Sequence, residues 1–477
     1  MASEAGEDEF ERELAVVVRM VENNRMLNRR HLLSGIAAGA FAPQSATAQA
    51  YAKATRGLPA LKITNVKVIL TNPPVTSAGT ISSMGRLVIA KVETSEPGLY
   101  GIGCASFCFR PAAVAAVIEK SLKPFVIGQD PDMVEDLYRS MNASSLWRGG
   151  PIENYARSGI DIALWDIKAK RANMPLYQLL GGKTRSAVQV YGDASGKDGA
   201  EMANSVEKAM AKGYKHIRLN YAQPKAPATP AVENMPGPLP EPAGTSPFLS
   251  PLIEPDRWAR EIPKIWEEVR KRCGDTVELM QHLHGQLPPV TTIGLVKRLE
   301  PYRPYFFEDP FYPEDIGYLG NLRQQTTVPI AIGEKFVADH EYVNLITGRL
   351  VDYIRVHIPA IGGLTKTRKL TTLCEWFAIR TVWHAPGDLS PVGHAANAHM
   401  DLASPNFGIQ EGSVIHGDEI RAVFPGTPRI KDGFLYINEA PGLGIDIDEK
   451  EAAKWPCSLE GGNFGPKRSV DGSIISN

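Results

Sequence analysis

His282, Glu308 and Glu334 stand 26 residues apart, each at the end of a short apolar run. The runs are VELMQH (277–282), YFFE (305–308) and IAIGE (330–334), and the stretches between them have room for a helix and its two loops. One strand-plus-helix unit fills such an interval, so the spacing predicts neighbouring parallel strands carrying these side chains at their carboxyl ends. In an eight-stranded β/α barrel that end is the catalytic face. Two carboxylates and an imidazole gathered there make a candidate metal site, because three isolated buried polar groups would each need a separate partner.

The rest of the chain can be read around that spacing. Eight strand candidates follow one another: 187–191, 216–219, 276–282, 305–308, 330–333, 353–356, 380–384 and 408–411, with helical stretches between most of them. Before them the order differs. Strands at 61–71, 86–94 and 100–105 precede helical periodicity at 112–122 and 152–171, which Gly181-Gly182 terminates. Strands followed by helices, ahead of any alternation, predict a separate α+β domain over 61–185, a barrel over 186–425 and a C-terminal segment over 426–477. With 477 residues, 43% hydrophobic and 22% charged, the chain can bury both cores.

Charge and cysteine usage exclude several classes of function. A net charge of −1 gives no electrostatic reason for nucleic acid or an anionic membrane as partner. The five cysteines contain no CxxC pair, which argues against a disulfide framework or a cysteine zinc site.

Residues 1–50 concern location. From Met26 the chain reads MLNRRHLLSGIAAGAFAPQSATAQA, with paired arginines Arg29 and Arg30, a short apolar stretch and an Ala48-Gln49-Ala50 cleavage pattern. This is the outline of a twin-arginine export signal, and it predicts a periplasmic protein with no membrane span. The acidic start of Met1–Arg25 is unusual ahead of such a signal, and Met26 is an alternative start.

The run ALWDIKAKRANMPLYQLLGGK (163–183), the strand ends at 282, 308 and 334, and the segments HAPGDLSP (384–391), SPNFGIQE (404–411) and APGLGIDID (440–448) resemble the enolase superfamily. More narrowly they resemble its mannonate dehydratase branch. The resemblance implies a modified TIM barrel of (β/α)7β type under an α+β capping domain to which the C-terminal segment returns. It also implies Mg²⁺ as cofactor, an acid sugar of the mannonate or gluconate kind as substrate, loss of the 3-hydroxyl after α-proton abstraction, and a homo-oligomer.

Residue by residue, the resemblance gives Glu308 and Glu334 as metal ligands. His282 occupies a position where the family has aspartate. As a ligand, its softer nitrogen shifts preference toward Mn²⁺, Fe²⁺ or Zn²⁺; as a bystander, it only hydrogen-bonds in the mouth. His284 matches the general acid, a role that suits a group titrating near neutrality. Arg218 matches an arginine that lowers the pKa of a catalytic tyrosine, but the proline-rich stretch after Tyr221 contains no tyrosine. Tyr221, His282 and Lys335 are the alternative bases. Arg355, His384, Asp388 and Glu411 match substrate contacts, Asp193 stands where the family has a histidine, and an asparagine of the capping domain is replaced near Arg86. Two functions follow: a sugar-acid hydro-lyase, or a weakly active or inactive descendant that binds a sugar acid or a partner.

Overall fold

The computed structural model describes residues 59–77, 80–83, 86–221, 254–387, 389–412, 417–459, 467–468 and 474–475. Arg29 and Arg30, the proline-rich stretch after Tyr221 and Asp388 lie outside the described residues.

Three antiparallel strands open the described chain: β1 (Ile63–Thr71), β2 (Leu87–Thr94) and β3 (Tyr100–Cys104), in spatial order β1-β2-β3. Helices α1 (Val134–Ala143) and α2 (Pro151–Arg171) follow, and α2 packs on the sheet. The periodicity over 112–122 divides into an α-helix, Pro111–Ala116, and a π-helical turn, Val117–Leu122. Pro124 comes just after this turn and has no N–H with which to continue an α-helical ladder.

Buried on nearly every side from Asn154 to Ile167, α2 joins the cap to the barrel. On the sheet side the contact is between backbones. A Cβ at Gly103 would lie 1.9 Å from the Gly159 carbonyl oxygen, and one at Gly101 would lie 2.0 Å from that of Ala163. On the barrel side, Asn154 Nδ2 donates to the carbonyls of Val337 (2.8 Å) and Ala360 (2.6 Å), and Trp165 Nε1 donates to Thr365 Oγ1 (2.9 Å).

Eight parallel strands form the barrel: β4 (Val188–Gly196), β5 (His216–Tyr221), β6 (Glu278–His282), β7 (Phe306–Glu308), β8 (Ile330–Ile332), β9 (Tyr353–Ile354), β10 (Arg380–Thr381) and β11 (Gln410–Glu411). Each from β4 to β9 pairs with the next, β11 pairs with β4 at Gln410–Val190 and Glu411–Tyr191, and a bridge from Thr381 to Phe407 completes the circle. Helices α3 (Gly199–Ala211), α4 (Pro255–Cys273), α5 (Pro289–Leu299), α6 (Leu319–Arg323), α7 (Asp339–Thr347), α8 (Leu364–Trp376) and α9 (Pro391–Ala403) link successive strands, the (β/α)7β arrangement. No helix of the described residues is long and apolar enough to cross a membrane.

The barrel interior is filled by Tyr191, Met280, Phe306, Ala331, Tyr353, Val382 and Ile409. Beyond the barrel the C-terminal segment extends β4 before it reaches the cap. A hairpin of β12 (Arg429–Lys431) and β13 (Phe434–Tyr436) pairs antiparallel with β4 at Leu435–Val188. The chain then meets the cap through Leu443 N on Asp166 Oδ1 (2.8 Å) and Tyr100 Oη on Asp446 Oδ2 (2.6 Å).

Because α2 has no side chain to yield at this backbone contact, Gly103→Val should force β3 away from the helix. The expected loss is about 3 kcal/mol, at the upper end of overpacking costs. Urea unfolding would measure it, and a change below about 0.5 kcal/mol would show that the contact is loose.

Candidate active site

Strand periodicity places most of the site. Residues two apart share a face, so the residue two positions past each interior filler reaches the mouth. Met280 is followed in this way by His282, Phe306 by Glu308, Tyr353 by Arg355, Val382 by His384, Ile409 by Glu411 and Tyr191 by Asp193. Three residues depart from this rule through positive φ. Gly333 (φ +139) follows Ala331 in phase but redirects the chain so that Glu334 enters the mouth. His284 (φ +54) lies in a turn beyond β6 rather than on the strand, yet its ring centroid is 4.5 Å from that of His282. Asp309 (φ +44) lets two consecutive acidic residues serve the same site, a conformation that aspartate tolerates better than most residues.

Arg355 is at the centre and has no solvent exposure. Its Nη1 lies 2.6 Å from Glu334 Oε2 and 3.5 Å from Asp309 Oδ2, and its Nη2 lies 2.7 Å from Glu411 Oε2 and 3.2 Å from Glu308 Oε1. Arg218 supplies the second guanidinium, 2.8 Å from Glu308 Oε1, 2.9 Å from Glu411 Oε1 and 2.8 Å from Asp193 Oδ1. Both arginines also donate to the buried Tyr191 hydroxyl, at 3.1 and 3.4 Å. Arg355 and Glu411, matched to substrate contacts by the resemblance, are spent on each other beneath the mouth. Asp193, at 41% side-chain exposure, and His384, at 19%, are the more accessible of that set.

Two trios of metal-binding groups share Glu308. Potential ligand atoms of Glu308, Asp309 and Glu334 lie within 4.8 Å of one another, and so do those of His282, His284 and Glu308. His282 therefore meets Glu308, its cross-strand neighbour in register, in the trio that also includes His284. His282 Nδ1 and Asp309 Oδ2 are among the buried atoms here that lack hydrogen-bond partners, with Arg355 Nε and His384 Nδ1. Unsatisfied donor atoms beside carboxylates suit a divalent cation, and the oxygen trio is the harder set.

Electrostatics point the same way. The carboxylates of Glu308, Asp309, Glu334 and Glu411 outnumber the two guanidiniums. Burial pushes the Glu308 carboxyl up despite both arginines, and burial next to Glu334 pushes Asp309 well above the usual range. Burial also opposes ionisation of Glu334 and Glu411, but their cationic neighbours, Arg355 among them, hold both carboxyls below that range. Desolvation keeps His282 and His384 neutral and lowers His284 to about 4.

His284 Nε2 is 3.4 Å from Glu334 Oε1 at the rim, and Lys335 Nζ donates to the His284 carbonyl at 2.6 Å while lying 4.0 Å over the Tyr312 ring. Tyr221, an alternative base by sequence, is turned away: its hydroxyl donates to Glu261 Oε2 at 2.6 Å, and burial together with that carboxylate raises its pKa to about 12. The site also holds two residues that the sequence reading missed. Tyr191 looks like plain strand filler, and Asp309 falls on the wrong face for a period of two. The one sequence signal for Asp309 is its place directly after Glu308, ahead of a proline.

Two family models match the chain: the mandelate racemase / muconate lactonizing enzyme N-terminal domain over residues 60–181 and the enolase C-terminal domain-like family over residues 201–451. A D-galactonate dehydratase family member from Pantoea ananatis, RspA, is 44% identical over 423 residues, covering 87% of this chain and 99% of the relative. Another family member, from Enterococcus gallinarum, is 40% identical over 417 residues, covering 87% and 98%. The crystal structure of an enolase from Pantoea ananatis with bound D-gluconate and Mg superposes with a TM-score of 0.78 at 43% identity, covering 87% of this chain and 99% of that one.

Removing the central guanidinium would leave several buried carboxylates facing one another. Arg355→Met is expected to destabilise the protein by roughly 3–5 kcal/mol, the cost of breaking a buried ion pair from one side. Chemical denaturation measures this, and a loss under 1 kcal/mol would mean that the carboxylates do not depend on Arg355.

Proposed function

Because the chain belongs to the enolase superfamily and, within it, to the D-galactonate dehydratase family, its activity is that of a hydro-lyase, and we propose a six-carbon aldonic acid of the gluconate or mannonate kind as its substrate. The observation that carries this reading is the convergence of Glu308, Asp309 and Glu334 at the barrel mouth with His284 at its rim. The relative that binds D-gluconate and Mg supports it.

Glu308, Glu334 and Asp309 would hold Mg²⁺, with His282 beside them through Glu308. When bound, the ion offsets the negative charge that develops on the substrate carboxylate as the α-proton leaves. Arg355, joined by Arg218 at Glu411, favours the ionised forms of Glu334 and Glu411 before substrate arrives, a preorganisation that needs no rearrangement during the reaction. Asp193, whose Oδ1 also accepts from Asn220 Nδ2 at 2.9 Å, and His384 are placed to receive sugar hydroxyls. His284 moves the proton, since it is the imidazole at the accessible rim. Tyr221 takes no part, because its hydroxyl is committed to Glu261.

Joint replacement Glu308→Gln and Glu334→Gln should abolish retention of divalent metal in elemental analysis, and unchanged metal content would overturn the metal assignment. His282→Asp should tighten Mg²⁺ binding in a calorimetric titration, because it restores a hard anionic ligand; no gain would make His282 a bystander.

His284→Asn should lower kcat on the aldonic acid by ~10²–10⁴-fold, while Tyr221→Phe leaves it within about twofold. A large loss in Tyr221→Phe with little in His284→Asn would transfer proton movement to the tyrosine. Formation of the keto-deoxy product from D-gluconate and D-mannonate is the assay, and failure of both acids would refute the proposed substrate class.

A further inference from the structure

We infer that the capping domain contains a second binding site, separate from the barrel mouth, for a small organic monocarboxylate. A cavity of about 310 Å³ lies between the π-helical turn, the end of α1 and the start of α2, lined by Val117, Ser121, Leu122, Phe125, Met141 and Arg157 among others. Cavities of that size hold small organic molecules.

Arg157 decides the chemistry. It is only 5% exposed, yet among the described residues no carboxylate pairs with its guanidinium. Nη1 donates to Asn142 Oδ1 and Nη2 to Asn154 Oδ1, both at 2.6 Å, the Tyr138 ring centroid is 5.2 Å away, and Nε, which has no hydrogen-bond partner, is enclosed against Gly362. Asp161, one turn along α2, and Asp339 give only longer-range compensation: Asp161 accepts from the Thr365 backbone N–H and hydroxyl, and Asp339 pairs with Lys366. A buried guanidinium whose direct partners are the neutral side chains of Asn142, Asn154 and Tyr138 is a costly arrangement, and an anion in the cavity relieves it.

The remaining lining specifies which anion. Val117, Leu122, Phe125 and Met141 form an apolar wall that fits a hydrocarbon body. Glu153, a second charged group on the cavity wall, has its Oε2 engaged by the Gly149 N–H at 3.2 Å. Its negative charge disfavours multiply charged ligands such as phosphate esters, which leaves a singly charged carboxylate with an apolar portion. The π-helical wall is consistent with this reading, because such turns are frequent at functional sites.

The test is calorimetric titration of the full-length protein with benzoate, and with benzamide as its uncharged isostere, in the presence of saturating D-gluconate and Mg²⁺. One benzoate per chain should bind, at least about tenfold more tightly than benzamide, the factor expected of a charge-assisted contact. Ser121 is exposed at the cavity edge, so Ser121→Trp should fold normally, fill the cavity and abolish benzoate binding without changing D-gluconate binding. Arg157→Met, if it folds, should erase the preference for benzoate over benzamide. The inference is overturned if the wild type does not bind benzoate, if benzamide binds equally well, or if Ser121→Trp leaves benzoate binding intact.

Discussion

Arg355 is the constraint around which the barrel mouth is built. Three strand ends bring four carboxylates into one buried space, where like charges would otherwise force protonation or separation. A fully buried guanidinium touching Glu308, Asp309, Glu334 and Glu411 allows them to remain together. Its fixed fork suits this better than an ammonium would, because several acceptors are met at once in one plane. Arg218 covers the neighbouring quadrant, and Tyr191 below gives both arginines a hydroxyl acceptor. Asp193, His284 and His384 are the polar residues left at the rim once this network is satisfied.

The cap depends on another kind of contact. Gly101, Gly103 and Gly159 bring a strand and a helix to backbone distance, so α2 lies deep enough to bond the barrel loops on its other side. Asn154 links those loops, after Glu334 and after His357, to the same helix that carries Arg157. The cap and the catalytic face therefore share one rigid element. Its residues answer to packing on both sides, which explains why it is buried all round instead of showing one polar face.

Much of the architecture was legible in the chain because it rests on local periodicity. The 26-residue interval, the eight apolar runs and the helical stretches between them carry the barrel, and all eight runs are strands of it in the structure. Glu308 and its partners could be located because alternation by two fixes which side chains enter the mouth. Asp309 could not, since its use depends on one left-handed backbone angle that no periodic rule supplies. Tyr221, one of the alternative bases by sequence, is removed by a contact from outside its own strand: a helix-borne Glu261 takes its hydroxyl.

The sequence by itself determined the class of fold, the order of cap and barrel, and the set of polar residues at the strand ends, because each follows from repeat length and side-chain alternation along a single element. Tertiary structure alone decided how those residues share their charges: which carboxylates Arg355 holds, that His282 is grouped with His284 and Glu308, and that among the described residues no carboxylate lies within ion-pair distance of the buried Arg157. These are distances between elements far apart in the chain, set by packing, and a one-dimensional pattern does not encode them.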